Sequence, residues 1–476
     1  MKTNPALPAL LLLAGMMTGT AAAQSVTMPR LTPTTPQPQP TAATRPPQQP
    51  PAVNQPPNGA QPPLTGTRPP QQPPTTGQPP AAGPGPRQGP PPQREAQRPR
   101  PRHRMMARRN GAPQPSDPLP GLTDALMVAF SDGREEFMRR ENAAGGLGPI
   151  FNNNSCLACH NQGGVGGAGV ITVTRFGLRN SMGFDPLSEL GGSLLQVRSI
   201  HPAAREIIPS AANVVARRQT TPLFGSGLIE AIPDEAILAG VFEGKPDGVR
   251  GRAAIITDPT TGEDRVGRFG WKAQHATLLA FSADAYLNEM GITNRFFPAE
   301  NAPNGRADVL AAHDAVADPE DTTDPITGKA DIDHSADFMR LLAPLPPRTL
   351  TPAAAAGRAL FETIGCAVCH TPRMQTGAHE ISALREKPVD LYSDLLLHDM
   401  GSLGDGIAQG DAGPGEIKTP PLWGVRASAP YLHDGRAPNL DRAIRMHDGE
   451  ATPARTRYTA LTPQQREQLI QFLNSL

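Results

Sequence analysis

Two pentapeptides carry the chemistry that is readable in this chain, Cys156-Leu-Ala-Cys-His160 and Cys366-Ala-Val-Cys-His370. Two thiols three positions apart, followed at once by a histidine, form the attachment pattern of a c-type haem. The thiols make thioethers to the porphyrin and the histidine becomes an axial ligand to iron. The chain has four cysteines and these motifs use all of them, so two covalently bound haem c groups and no disulfide are expected. Zinc is the competing chemistry for thiols and histidines. The 210 residues between Cys156 and Cys366 argue against one shared zinc site.

Helices must bring these motifs into place. Thr351-Pro352 puts a hydroxyl at an N-cap and proline in the first turn, and Ala353 to Ile364 then runs as a helix into Cys366. Thr462-Pro463 repeats the cap, and Leu469, Phe472 and Leu473 mark the apolar face of a terminal helix. A helix entering the motif and a terminal helix returning to it make up the plan of a class I cytochrome c. Upstream, Leu122 to Arg140 and Ala273 to Met290 show helical apolar spacing, and Val170-Ile-Thr-Val-Thr174 alternates like a strand. Residues 300–335 are polar and rich in Asp and Pro, and read as a surface loop. Glycines crowd Asn161 to Gly169. Without a Lys-Ser/Thr ending or a preceding strand they do not make a phosphate loop, and close backbone approach to a haem edge is the simpler use. The expected fold is mainly α. It has two cytochrome c-like haem domains, 119–345 and 346–476, the first enlarged by insertions with some short strands.

The beginning of the chain differs. Lys2, the apolar run Leu7 to Met17 and Ala21-Ala22-Ala23 form an export signal over 1–23, cleaved near Ala23. This predicts a periplasmic protein, in keeping with where c-type haem is attached. Proline fills 29 of the 95 positions of 24–118, which favours a disordered, extended tail over a packed core. Residues 1–118 carry 12 Lys and Arg against 2 Asp and Glu, whereas 119–476 carry 32 against 42. A basic tail therefore precedes an acidic body. The tail reads as a solvated spacer, with contact to cell wall or membrane surface as the alternative. The acidic body suits a basic redox partner, and nothing indicates nucleic acid.

Several stretches resemble the bacterial di-haem oxidoreductases of peroxidase type, relatives of the di-haem cytochrome c peroxidases and more distantly of the rubber oxygenases. They include Gly146 to His160, Pro222-Leu-Phe-Gly-Ser-Gly-Leu-Ile-Glu-Ala-Ile-Pro-Asp234, Gly267-Arg-Phe-Gly-Trp-Lys-Ala273, Tyr392 to Gly401, Lys418 to Arg426, and Ala429-Pro-Tyr-Leu-His-Asp-Gly-Arg436. The resemblance spans 119–476. It implies an oxidoreductase in which one haem passes electrons and the other meets the oxidant, peroxide or oxygen. A small protein, a cytochrome c or a cupredoxin, would be the electron donor. Pure electron transfer and oxygenation of an organic substrate are the competing functions.

The same resemblance assigns roles. In the peroxidases a distal ligand follows the motif histidine, here His433, by fourteen residues. That position is His447, with Met446 and Met400 as alternatives. Two histidines would close the second haem, at a lower potential than His/Met ligation gives. No distal ligand stands out for the first haem, His201 being a weak candidate, so an open site there is expected. Glu230 is the expected proton-transfer acid, Trp271 the relay between haems, and His433 and Arg436, near the second haem, the supports of a propionate or of the domain interface. Calcium is implied near Ser428 and Pro430.

Overall fold

The computed structural model describes residues 113–242 and 244–476. The expected export signal and all but the last six residues of the expected tail lie outside them, and everything described belongs to one packed unit. Eleven α-helical segments occur among the described residues: α1 (Asp124–Met138), α2 (Cys156–Cys159), α3 (Ser226–Glu230), α4 (Asp234–Leu238), α5 (Leu278–Met290), α6 (Ala307–His313), α7 (Asp331–Leu341), α8 (Pro352–Thr363), α9 (Leu440–Arg445), α10 (Thr452–Ala460) and α11 (Pro463–Leu473).

Their ends follow local chemistry. Thr123 caps α1, its hydroxyl accepting from Leu126 N. Thr351 caps α8 and Thr462 caps α11, each with proline in the first turn as expected. Thr277 caps α5 and Gly291 ends it in the left-handed conformation. The expected helix over 273–290 therefore loses its first five residues to the turn that leads into this cap. The region read as a surface loop, 300–335, instead holds α6 and the start of α7. Ile332, Ala336, Phe338 and Met339 of α7 are buried, a face that a polar, aspartate-rich composition conceals.

Six short strands matter for the site: β1 (Ile150–Phe151), β2 (Thr172–Asn180), β3 (Gly183–Asp185), β4 (Leu194–Leu195), β5 (Arg198–Ser199) and β6 (Val214–Gln219). β2 extends well beyond the expected strand and pairs antiparallel with β3, β4 and β6. In the β2–β6 register Val173 lies opposite Arg218 and Arg175 opposite Ala216. Directly opposed residues share a face, and side chains alternate along each strand. Val173, Arg175 and Arg218 therefore share one face of the sheet.

The largest apolar cluster joins Phe130 and Phe137 of α1, Leu278 of α5 and Phe338 of α7 to Leu384, Leu391 and Leu396, so it draws on both sides of residue 345. A second cluster joins α8 to α11 through Phe361, Leu469 and Phe472. The Phe361 and Phe472 rings meet edge-on, 5.4 Å apart.

Candidate functional site

The first Cys-x-x-Cys-His motif sits on α2. Ser155 caps this turn, its Oγ accepting from Ala158 N at 3.2 Å. His160 follows directly, and its Nδ1 lies 3.2 Å from the Gly167 carbonyl. A carbonyl only accepts, so Nδ1 carries the proton and Nε2 carries the lone pair. The glycine-rich run is needed for this packing: a Cβ on Gly169 would lie 1.9 Å from the Cys159 carbonyl. Cys156, Cys159 and His160 form one wall of a cavity whose other walls include Phe137, Arg175, Arg218, Asp284, Glu289 and Trp271. His160 is the only histidine among the described residues lining it.

The second motif follows α8. His370 Nδ1 lies 3.1 Å from the Tyr392 carbonyl, again leaving the lone pair on Nε2. Cys366, Cys369 and His370 line a second cavity together with His398, Met400, His433 and His447. His447 Nδ1 lies 2.9 Å from the Ala443 carbonyl, one turn back on the helical segment that α9 begins. The two rings, His370 and His447, have centroids 6.5 Å apart. Met446 is not among the residues that line this cavity.

The two cavities meet at Gln219, Thr220, Thr221 and Trp271, which line both. Trp271 Nε1 donates to the Gln219 carbonyl at 2.8 Å. Its own carbonyl accepts from Lys418 N at 2.9 Å. The His433 ring meets the indole edge-on at 6.3 Å, and the His433 carbonyl accepts from Gln219 N at 2.6 Å.

Burial sets the charges here. It pushes His160, His370 and His433 down to about 4, so all three imidazoles are neutral at pH 7. It pushes the Cys156 and Cys366 thiols up to about 12 and Cys159 up to about 11. Glu289 is raised by burial, with Asn152 Nδ2 donating to it at 2.9 Å and Arg175 acting in the opposite sense. Burial also works against a charge on His398, yet Asp394 at 3.0 Å and Glu450 at 2.8 Å hold it up to about 12.

The cavities fit the group that the motifs call for. Each offers a cysteine pair and the motif imidazole, whose Nδ1 donates to a backbone carbonyl, within a buried and largely apolar enclosure. The zinc alternative lacks such support. Among the described residues the groups with three close donor atoms are Cys369–Asp394–His398 and Glu300–Asp318–Glu320, and neither unites a cysteine pair with a histidine.

Not every expected residue arrives at the cavities. Glu230 does not line the first one; Arg340 Nε donates to its Oε2 at 2.6 Å and Leu278 N to its Oε1 at 2.7 Å. It is an ion-paired acid that caps α5. Arg436 is directed to its neighbour Asp434 and lines neither cavity. His201 stacks on His313 with centroids 4.1 Å apart, away from the first cavity. Ser428 and Pro430 line the second cavity, and the Ala429 carbonyl between them accepts from the Gln162 side-chain amide. Sequence reasoning missed Glu289 and His398. Glu289 sits in the last turn of α5 beside Asn288, and His398 follows the apolar run Leu395–Leu397 and precedes acidic Asp399. An ionisable group after an apolar run was the available signal for His398, and Glu289 carried none.

A model of the family described as "Di-haem oxidoreductase, putative peroxidase" matches residues 209–476. The span includes the second motif, Trp271, Glu289 and His447, and begins after the first motif. Similar solved structures include a hydrazine synthase of Kuenenia stuttgartiensis, 16% identical over 79% of this chain and 99% of that chain, with a TM-score of 0.36. A MauG-like protein associated with microbial copper homeostasis is 16% identical over 76% of this chain and 92% of its own, with a TM-score of 0.33. The diheme peroxidase BthA of Burkholderia thailandensis is 14% identical over 73% and 86%, with a TM-score of 0.33. No curated protein matches the chain.

Proposed function

This chain belongs to the di-haem oxidoreductase family, and we propose that it is a periplasmic peroxidase whose second haem is an electron port and whose first haem meets the oxidant. The observation that carries this reading is an asymmetry. The second cavity holds the imidazoles of His370 and His447, 6.5 Å apart, whereas among the described residues His160 is the only histidine lining the first. Two strong ligands leave no place for a small oxidant, and one leaves a place open.

Cys156, Cys159 and His160 would hold the first haem, the cysteines through thioethers. Cys366, Cys369 and His370 would hold the second, together with His447. The haems supply one-electron exchange and, at the open position, activation of a small oxidant. The remaining work belongs to the chain. The Gly167 and Tyr392 carbonyls orient the two proximal rings. Glu289, whose basicity burial raises, accepts a proton from one oxygen of peroxide and passes it to the other, the acid–base role expected of Glu230. Trp271, in the wall common to both cavities, carries electrons from the second to the first. Reduction of one peroxide to two waters takes two electrons and two protons. A small cytochrome c or cupredoxin supplies the electrons one at a time, attracted by the acidic body. Export follows from Lys2, the apolar run after it and Ala21-Ala22-Ala23, and among the described residues no helix is long and apolar enough to cross a membrane.

Spectroscopy of the purified protein with rapid mixing tests the reading. The expected result is one high-spin and one low-spin haem, with reoxidation of both on adding peroxide. Two low-spin haems that ignore peroxide would leave pure electron transfer as the function.

A further inference from the structure

The sheet that walls the first cavity carries two arginines that the proposed mechanism does not use. Arg175 on β2 and Arg218 on β6 share one face, as diagonal neighbours across the strand pair. Such neighbours lie roughly 7–8 Å apart at the backbone, and the Arg218 charge works against that of Arg175. Both line the first cavity. Arg218 is 5% exposed, and its Nη2 is buried without a hydrogen-bond partner. Arg175 Nε is likewise buried without a partner, although its Nη1 donates to Ser193 Oγ at 3.3 Å.

Nearby acids do not satisfy these ends. Asp405 accepts from Arg218 Nε at 2.8 Å and from Lys272 Nζ at 2.9 Å, so one carboxylate serves two cations. Asp284 faces His275 at 3.3 Å. Glu289 attracts Arg175, but burial favours its neutral form. Burial and the neighbouring Arg218 bring Arg175 down to about 10, still charged at pH 7. Unpartnered guanidinium N–H groups in a buried wall are costly unless a carboxylate takes them.

We propose that Arg175 and Arg218 form a clamp for carboxylates in the wall of the first cavity, and that the carboxylates are the propionates of the haem held by Cys156, Cys159 and His160. The assignment rests on that haem being where the preceding section puts it. It is separate from the support expected of Arg436 at the second haem, where that side chain is occupied by Asp434. Two positive charges beside the porphyrin favour the reduced iron, because the oxidised form carries one more positive charge. The clamp therefore raises the potential of the first haem, beside the oxidant, and leaves that of the second largely unchanged.

The test is a spectroelectrochemical titration of the haem-loaded Arg175→Gln protein, with haem counted by pyridine haemochrome. Two haems per chain are expected, with one couple moved to more negative potential by at least a tenfold change in its equilibrium, about 59 mV for one electron, and the other couple unmoved. Should R175Q fail to mature, Arg175→Lys keeps the charge and gives up the fork, and a smaller negative shift of the same couple is expected. Two unmoved couples in a fully loaded variant overturn the clamp. Acetate added to the wild type separates the two sources of carboxylate. No shift is expected, whereas an acetate-dependent shift that R175Q abolishes would assign the arginines to a free ligand and overturn the propionate assignment. No peroxide enters these measurements, so failure of the peroxidase reading would be seen separately.

Discussion

Replacing His447 with alanine should double the carbon monoxide bound by the fully reduced protein, from one molecule per chain to two. The expectation comes from the spacing of two rings. A metal–nitrogen bond to imidazole is about 2.0 Å long, and the ring centre lies about 1.2 Å beyond the nitrogen, so two imidazoles on one iron have centroids about 6.4 Å apart. The His370 and His447 rings are 6.5 Å apart. Both have Nδ1 against a backbone carbonyl, which leaves each Nε2 available to the space between them. Alanine removes one of the two ligands and the Nδ1 contact to Ala443, the latter worth about 1 kcal/mol, which is small against the stability of a domain. The variant should therefore fold, load two haems and convert the second from low to high spin. Added imidazole should restore the low-spin spectrum and the single CO site. If H447A with two haems still binds one CO, another residue closes the second haem, and Met400, which lines the same cavity, becomes the ligand to test. If the wild type already binds two, the asymmetry on which the proposed function rests is wrong.

Glu230→Gln and Glu289→Gln should separate a structural acid from a reactive one. E230Q breaks the pair with Arg340 and should cost about 3 kcal/mol in urea unfolding while leaving the peroxide rate per folded molecule unchanged. E289Q should lower that rate by about 100-fold or more in stopped-flow mixing. Trp271→Phe removes the donor to the Gln219 carbonyl, with a stability loss of about 1–3 kcal/mol, and flash photolysis should show electron exchange between the haems slowed at least tenfold. Glu300 has both carboxylate oxygens buried without partners, and burial with Glu320, Asp318 and Asp314 pushes it up to about 9 from 4.5. The folded chain then holds a proton that the unfolded chain has lost. Its contribution is complete below pH 4.5 and falls by about 1.4 kcal/mol per pH unit up to 9. In Glu300→Gln the loss of melting temperature between pH 6 and 8 should be smaller than in the wild type.

Chemistry with a fixed spacing was the easiest part of the sequence to read. The cysteines and histidines of both motifs line cavities, and the Thr-Pro caps of α8 and α11 form where the residues place them, because capping depends on a few adjacent atoms. What depended on tertiary context was hidden. α7 looks polar until its aspartates turn outward and Phe338 packs on Phe130. Glu230 looked reactive because it is an acid in an apolar run. Its partner Arg340 lies 110 positions away and only folding brings them together. Glu289 was passed over for the converse reason: in the α5 sequence it reads as an ordinary polar residue near a helix end, and its place beside the cavity follows from how α5 packs beside β1 and the residues after it. The β2–β6 pairing, which lines up Arg175 and Arg218, joins segments with no periodic signal in common.

Trp271 between the cavities is held at two points, its indole by the ring N–H on the Gln219 carbonyl and its backbone by the carbonyl on Lys418 N. Both anchors are backbone atoms of strands, Gln219 ending β6 and Lys418 ending the strand Glu416–Lys418. A side chain so fixed has little rotational freedom, and the tunnelling gap it bridges varies little over time. Exchange of electrons across it should then follow a single exponential that is insensitive to solvent viscosity. Whatever limits turnover would lie in the arrival of the donor or in the handling of protons, and the interior wire would set only an upper bound on the rate.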